Sequence, residues 1–140
     1  MVEKERKYVD VNVFVYWLVG SKYTERAKLW IRKIEQSVYG EFCTSTITPY
    51  EVAVIVAGLI GESLSNKDFI EKIISAFKSL KQLAFIPLEK KDILEVARIM
   101  EETGLDMEDS IHYIVARKSR AKMIISNDKD FDKTDLKRVF

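Results

Sequence analysis

Short runs of β-branched and aromatic residues alternate along the chain with longer stretches whose apolar residues recur every three or four positions. Tyr8-Val9 opens the first run, and Asp10 and Asn12 interrupt it where a buried strand would give way to a turn, so a strand is predicted to end near Asp10. Ala27, Trp30, Ile31, Ile34 and Val38 fall on one face of a helix over residues 23–38, with Gly40 as its stop. Residues 41–45 read as a second strand. Thr48 as N-cap and Pro49 as first helical residue then start a helix that runs to about Leu59. Ser65 is placed to cap a helix with the stripe Phe69, Ile70, Ile73, Ile74, Phe77 and Leu80, and residues 83–87 read as a third strand. A helix over 92–102 is closed by Gly104, and Asp106 caps another that ends in the basic segment 117–122. Residues 123–126 form a fourth strand, the acidic turn 127–131 follows, and 136–140 supplies an edge strand.

Strands that alternate with helices pair in parallel, because right-handed crossovers lay the helices on both faces of the sheet. The fold class is α/β, a three-layer α/β/α sandwich around a central, mainly parallel sheet. Without linker, repeat or low-complexity segment, residues 1–140 read as one domain. Composition narrows the partners. With 23 Lys and Arg against 22 Asp and Glu, the net charge of +1 offers no general attraction to nucleic acid or acidic membranes, so any such binding must be local. The one cysteine, Cys43, excludes an intrachain disulfide and a Cys-rich zinc site and suits a reducing compartment. The charged start lacks the apolar core of a signal peptide, and the apolar stretch 52–60 is shorter than the about 20 residues a bilayer needs. A cytoplasmic protein without a membrane anchor is expected.

The chemistry lies in the acids. In open parallel sheets ligands bind outside the carboxyl ends of the strands. Asp10 ends the first strand, Asp128 follows the fourth, and Glu51 and Asp109 sit in the first turns of helices placed after that same edge. Four carboxylates from four distant segments can converge there, and like charges at close range take up protons or recruit a cation. A hard divalent ion, Mg2+ or Mn2+, takes oxygen ligands and suits phosphodiester hydrolysis.

Four segments resemble the motifs of the PIN domains, in particular the short prokaryotic toxin ribonucleases of VapC type. Tyr8-Val9-Asp10-Val11-Asn12-Val13-Phe14-Val15-Tyr16 is similar to the opening motif and Thr48-Pro49-Tyr50-Glu51 to the second. Gly104-Leu105-Asp106-Met107-Glu108-Asp109-Ser110-Ile111-His112 is similar to the third, and Ile124-Ile125-Ser126-Asn127-Asp128-Lys129-Asp130-Phe131 to the fourth. Singly the motifs are weak; their order and spacing over almost the whole chain make the set fairly specific. The resemblance implies that Asp10, Glu51, Asp109 and Asp128 are catalytic metal ligands for Mg2+ or Mn2+. It also implies that Asn12 and Ser126 orient them, with Asp130 a second candidate beside Asp128. An RNA substrate, an antitoxin protein as partner and a homodimer as working unit are implied in the same way.

Other readings of the same residues stay open. Thr48 and Glu51 also form a capping box, and Asp106 and Asp109 have a similar spacing. Asp128 and Asp130 suit a turn that bonds its own backbone. His112 reads more readily as a packed histidine than as a ligand, since a hard-metal site does not need imidazole. Arg117, Lys118, Arg120, Lys122 and Lys129 could track a phosphate backbone near the acids or simply solvate a helix end. An inactive RNA-binding module or a receiver-like magnesium switch is the alternative function. A receiver would place adjacent acids near its N-terminus, whereas here they start helices.

Overall fold

The computed structural model describes residues 5–140. Among them, five strands form one wholly parallel sheet: β1 (Lys7–Val9), β2 (Phe42–Ser45), β3 (Ala84–Ile86), β4 (Met123–Ile125) and β5 (Lys137–Val139), in the order β3-β2-β1-β4-β5. The first strand is thus central. Tyr8 lies opposite Cys43 on one side and Ile124 on the other. The edge strand expected over 136–140 is β5, paired with β4.

Side chains that alternate along each strand divide the core into two layers. Val9, Phe42 and Ile125 face one layer with α1 (Val11–Leu18), α2 (Thr24–Glu35), α3 (Thr48–Ile60) and α4 (Lys67–Ser79). Tyr8, Cys43 and Ile124 face the other, against α5 (Lys90–Leu94), α6 (Val96–Thr103), α7 (Met107–Lys118) and Phe131 of a 3-10 turn over Lys129–Lys133. The α/β/α sandwich predicted from the alternation is the fold observed.

Three local expectations are corrected, and a helix follows the first strand. Residues 11–18, whose Val11, Val13 and Val15 favour a strand, form α1. Its helical face buries Val11, Phe14 and Val15, and burying Phe14 completely stabilises the fold by about 2–3 kcal/mol, more than the summed propensity penalty of the valines. The second helix ends at Glu35, short of Gly40; that glycine takes φ +85° in the following turn, where its carbonyl accepts from Arg6 Nε at 3.0 Å. Asn66, not Ser65, caps α4, its side chain accepting from the amides of Asp68 and Phe69. The helix expected over 92–102 is broken at Glu95 into α5 and α6, and Asp92 bonds back to the Glu89 amide at 2.9 Å. Among the described residues no helix is long and apolar enough to cross a membrane.

Candidate active site

Every strand of a parallel sheet ends on the same edge, so residues that follow β1 and β4, and the first turns of α3 and α7, meet there. Asp10 leaves β1 as the cap of α1 and is 5% exposed. Its Oδ1 accepts from the Val11 amide at 2.8 Å. Its Oδ2 accepts from Ser126 Oγ at 2.6 Å and from Asn12 Nδ2 at 3.2 Å. Ser126, fully buried at the end of β4, also accepts from Asn12 Nδ2 at 3.1 Å and from the Asp128 amide at 3.0 Å. One hydroxyl therefore fixes acids from opposite ends of the chain. Burial raises the Asp10 carboxyl pKa, although His112 and the bonds from Ser126 and Val11 pull it back.

Asp109 stands in the first turn of α7, whose cap Asp106 accepts from the Asp109 amide at 2.8 Å. The cap uses only the backbone of Asp109. Its carboxyl joins those of Asp128 and Asp130, with one oxygen of each within 4.8 Å of the others. Burial, then the charges of Asp128, Asp106 and Asp10, push Asp109 up to about 8. Asp128 also bonds the Asp130 amide at 2.9 Å, as a turn aspartate does, while Asp130 is more exposed and stands 3.6 Å from Lys133 Nζ.

Glu51 does not close the capping box. Thr48 is the first residue of α3 rather than its cap, and its hydroxyl lies 2.7 Å from Thr44 Oγ1 on β2. The Glu51 carboxylate instead points into the protein, where Oε1 accepts from His112 Nε2 at 2.8 Å. His112 Nδ1 is 2.6 Å from the Tyr8 hydroxyl. In the neutral ring this chain of bonds sets the tautomer, with the proton on Nε2 and Nδ1 accepting from Tyr8. Glu51 Oε2 is buried without a hydrogen-bond partner. Close by, Glu108 is pushed up to about 7, first by the neighbouring Glu51 carboxyl, then by burial and the Glu51 charge.

Asp10, Glu51, Asp109 and Asp128 thus line one pocket of about 330 Å³, with Asn12, Glu108 and His112 beside them and Val15, Tyr16, Ile55 and Leu59 as an apolar wall. The donor set fits a hard cation: the groups are carboxylate oxygens, one is buried and unpartnered, and Asp109 holds a proton well above the usual carboxylate range for want of positive charge. Sequence reasoning passed over Glu108 and the Tyr8–His112–Glu51 chain. The available signal was the i, i+4 spacing of Glu108 and His112, which puts both on the face of α7 that carries Asp109.

The basic segment lies elsewhere. Arg117, Arg120 and Lys122 border a separate groove with Asp135 and Leu136, at the end of α7 opposite Asp109. Eight residues of helix separate Asp109 from Arg117, about 12 Å along the axis. Lys118 is committed to structure, donating to Asp92 Oδ2, Glu89 Oε1 and the Pro87 carbonyl, each at 2.7 Å.

Comparison with known proteins agrees with this architecture. Ribonuclease VapC1 of Aquifex aeolicus (strain VF5) is 36% identical over 56 residues, a match that spans only 39% of this chain and 39% of that relative. A VapC20 toxin of Mycobacterium tuberculosis, described as cleaving the sarcin-ricin loop, superposes with a TM-score of 0.70 at 13% identity, covering 94% of this chain and 98% of its own. VapBC2 of Rickettsia felis, solved on a promoter DNA fragment, gives 0.65 at 17% identity over 95% of this chain and 96% of that one. A toxin-antitoxin complex from Klebsiella pneumoniae gives 0.63 at 20% identity over 94% and 98%. At such identities the superpositions speak for the fold. The PIN domain model matches residues 7–137, nearly the whole described chain, and on that ground the protein belongs to the PIN domain family.

Proposed function

We propose that this chain is a Mg2+- or Mn2+-dependent endoribonuclease that acts as a single domain, with Asp10, Glu51, Asp109 and Asp128 as its metal-binding catalytic acids and Asn12, Ser126 and Asp130 supporting them. The observation that carries this reading is the meeting of those four acids, drawn from four separate segments, in one pocket. The ribonuclease activity of the Aquifex relative and the PIN fold support the same chemistry.

A hard divalent cation held by these acids supplies Lewis-acid activation of water and a counter-charge for the phosphodiester. The chain's own residues prepare the site. Ser126 and Asn12 hold Asp10 in one orientation, and Ser126 places the backbone of Asp128 relative to it. His112 grips one oxygen of Glu51 and leaves the other for the pocket. Asp130 lies close enough to Asp109 and Asp128 to replace or assist the latter. The apolar wall limits water on one side, which strengthens charge interactions at the reacting phosphate.

The partner in this reading is an antitoxin protein, as in the toxin-antitoxin complexes that share the fold. A cytoplasmic homodimer completes it, supported by the exposed apolar side chains Tyr50, Val54 and Leu59 on α3. The test is cleavage of single-stranded RNA by the purified protein. Activity is expected with Mg2+ or Mn2+, lost in EDTA, and reduced to background by Asp10→Asn or Asp109→Asn. Cleavage that persists in EDTA, or in both variants, overturns the mechanism.

A further inference from the structure

At the mouth of the acidic pocket, beyond the groups assigned above, three rings from three segments form a cluster. Tyr16 of α1 lies 4.9 Å from Tyr23, which precedes α2, and 5.7 Å from Phe140, which follows β5; Tyr23 and Phe140 are 6.0 Å apart. All three are partly exposed. Lys22 Nζ lies 5.1 Å from the centre of the Tyr23 ring and the Arg26 guanidinium 5.4 Å from that of Phe140, and both cations are exposed. Elsewhere on the surface Lys118 and Arg138 are matched by carboxylates. Lys22 and Arg26, like Lys33 over Trp30 and Arg117 over Tyr113, stand over rings, but among the described residues only Lys22 and Arg26 do so beside the acidic pocket.

The cluster is tied to the candidate catalytic edge. Tyr16 lines the pocket itself, and its hydroxyl accepts from Asn127 Nδ2 at 3.2 Å. Asn127 directly precedes Asp128, and its amide donates to Asn12 Oδ1 at 3.3 Å. The backbone beneath is pinned by Thr24 Oγ1, which donates to the Tyr16 carbonyl at 2.8 Å. The rings therefore keep a fixed place relative to Asp10 and Asp128.

We infer that Tyr16, Tyr23 and Phe140, with Lys22 and Arg26, form a shelf that binds an unpaired nucleotide of the substrate next to the scissile bond, the rings stacking on its base and the two cations neutralising its flanking phosphates. The inference rests on the nuclease reading, because it takes the acidic pocket as the place of cleavage. Aromatic faces beside unpaired cations are what a single strand offers its bases and phosphates to. A base inside a duplex is stacked on both sides and has no face to give. The shelf thus selects single-stranded segments, loops or bulges. In the groove with Arg117, Arg120 and Lys122 the guanidinium of Arg117 also lies over a ring, Tyr113 at 5.5 Å, but that ring is buried and bonded to Asp135, and the groove does not touch the acidic pocket.

Two variants test the shelf: Tyr23→Leu, which keeps apolar bulk but removes the stacking face, and the double variant Lys22→Ala/Arg26→Ala, which alters only exposed side chains. Binding is read by fluorescence anisotropy in EDTA, with a labelled mixed-sequence single-stranded RNA oligomer and with a hairpin-free RNA duplex, so no cleavage is required. Tyr23→Leu is expected to weaken single-strand binding between about 5- and 150-fold and to leave duplex binding within about twofold. The double variant is expected to lower the slope of log affinity against log salt by about 1.4, the value for two phosphate contacts on a single strand. With metal present, the Tyr23→Leu effect falls on KM more than on kcat. Wild-type affinity and slope in both variants, or equal losses on single strand and duplex, would overturn the shelf. Unchanged RNA binding together with lost binding of a labelled acidic peptide would assign the surface to a protein partner and overturn it equally. Absence of cleavage by the wild-type protein counts against the nuclease reading alone, since the anisotropy result still decides the shelf.

Discussion

Removal of one oxygen atom, in Ser126→Ala, tests how the candidate site is held together. The hydroxyl donates to Asp10 Oδ2 at 2.6 Å and accepts from Asn12 Nδ2 and the Asp128 amide, and nothing else touching Asp10 can replace it. A hydrogen bond to a charged group contributes roughly 1.5–3 kcal/mol, and an orphaned buried amide costs about 1–3 kcal/mol unless water reaches it. Asp10 keeps the Val11 amide and Asn12, so the net loss is on the order of 2–3 kcal/mol. For a domain of this size that lowers the melting temperature by roughly 5–10 °C. The functional consequence is separate from the thermal one. Burial already raises the Asp10 pKa, and loss of the Ser126 bond raises it further, so cation and proton compete more closely for the carboxylate. The Mg2+ concentration giving half-maximal cleavage should rise about 10- to 100-fold, more at pH 6 than at pH 8. Differential scanning fluorimetry in EDTA reads the first effect, and cleavage against Mg2+ concentration reads the second. A variant that melts early yet shows the wild-type Mg2+ curve would refute the claim that Ser126 orients the metal-binding acids.

The remaining predictions concern charge. Asp109→Asn should abolish cleavage yet raise the melting temperature in EDTA, because it removes a carboxyl that burial and three neighbouring aspartates push up to about 8; a lower melting temperature would contradict this. The raised Asp109 means that between its ordinary value and about 8 the folded protein holds more protons than the unfolded chain, so stability in EDTA should fall as pH rises through that window. Saturating Mg2+ should flatten the profile, which chemical denaturation at several pH values measures. His112 has its pKa lowered by burial and raised by Glu51 and Asp10, with a net upward shift, so its contribution is complete below its ordinary value near 6.5 and lost as pH rises through the raised one. Subtracting the pH profile of His112→Gln from that of the wild type should leave that difference. Lys118→Met should cost about 2 kcal/mol by leaving Asp92 without its cation, while cleavage per folded molecule stays at the wild-type level; lower activity in folded protein would return Lys118 to the substrate path.

How much of this was legible in the sequence depends on range. Short continuous apolar runs such as Tyr8-Val9 and Ile124-Ile125 specify buried strands locally, and the alternation with helices fixes parallel pairing, so the layers and the carboxyl-edge position of Asp10, Glu51, Asp109 and Asp128 could be read directly. The helix α1 could not, since its valines favour a strand and only burial between sheet and α2 makes it helical. Glu51 was ambiguous for a related reason. Its capping-box spacing is a local signal, whereas the bond it makes is to His112, 61 residues away. The basic segment was legible only in part: its place at the far end of the helix from Asp109 could be read, but not that Lys118 would be tied to Glu89 and Asp92. Tyr8 and Glu108 lie within the motif-like segments, but no local signal marks them as part of the site; their place follows from His112 of α7 meeting Tyr8 of β1 and Glu51 of α3.

The central position of β1 has a consequence for synthesis. Of the five strands β1 is made first and must wait for partners on both sides, and the bond between Ser126 and Asp10 spans 116 residues. A partly translated chain can build the layer of α1 through α4, but its Asp10 has no Ser126 to orient it and no Asp128 beside it. The acidic centre therefore cannot assemble on the ribosome until β4 has been made and released from the tunnel, so a truncated product ending before Ser126 would lack it.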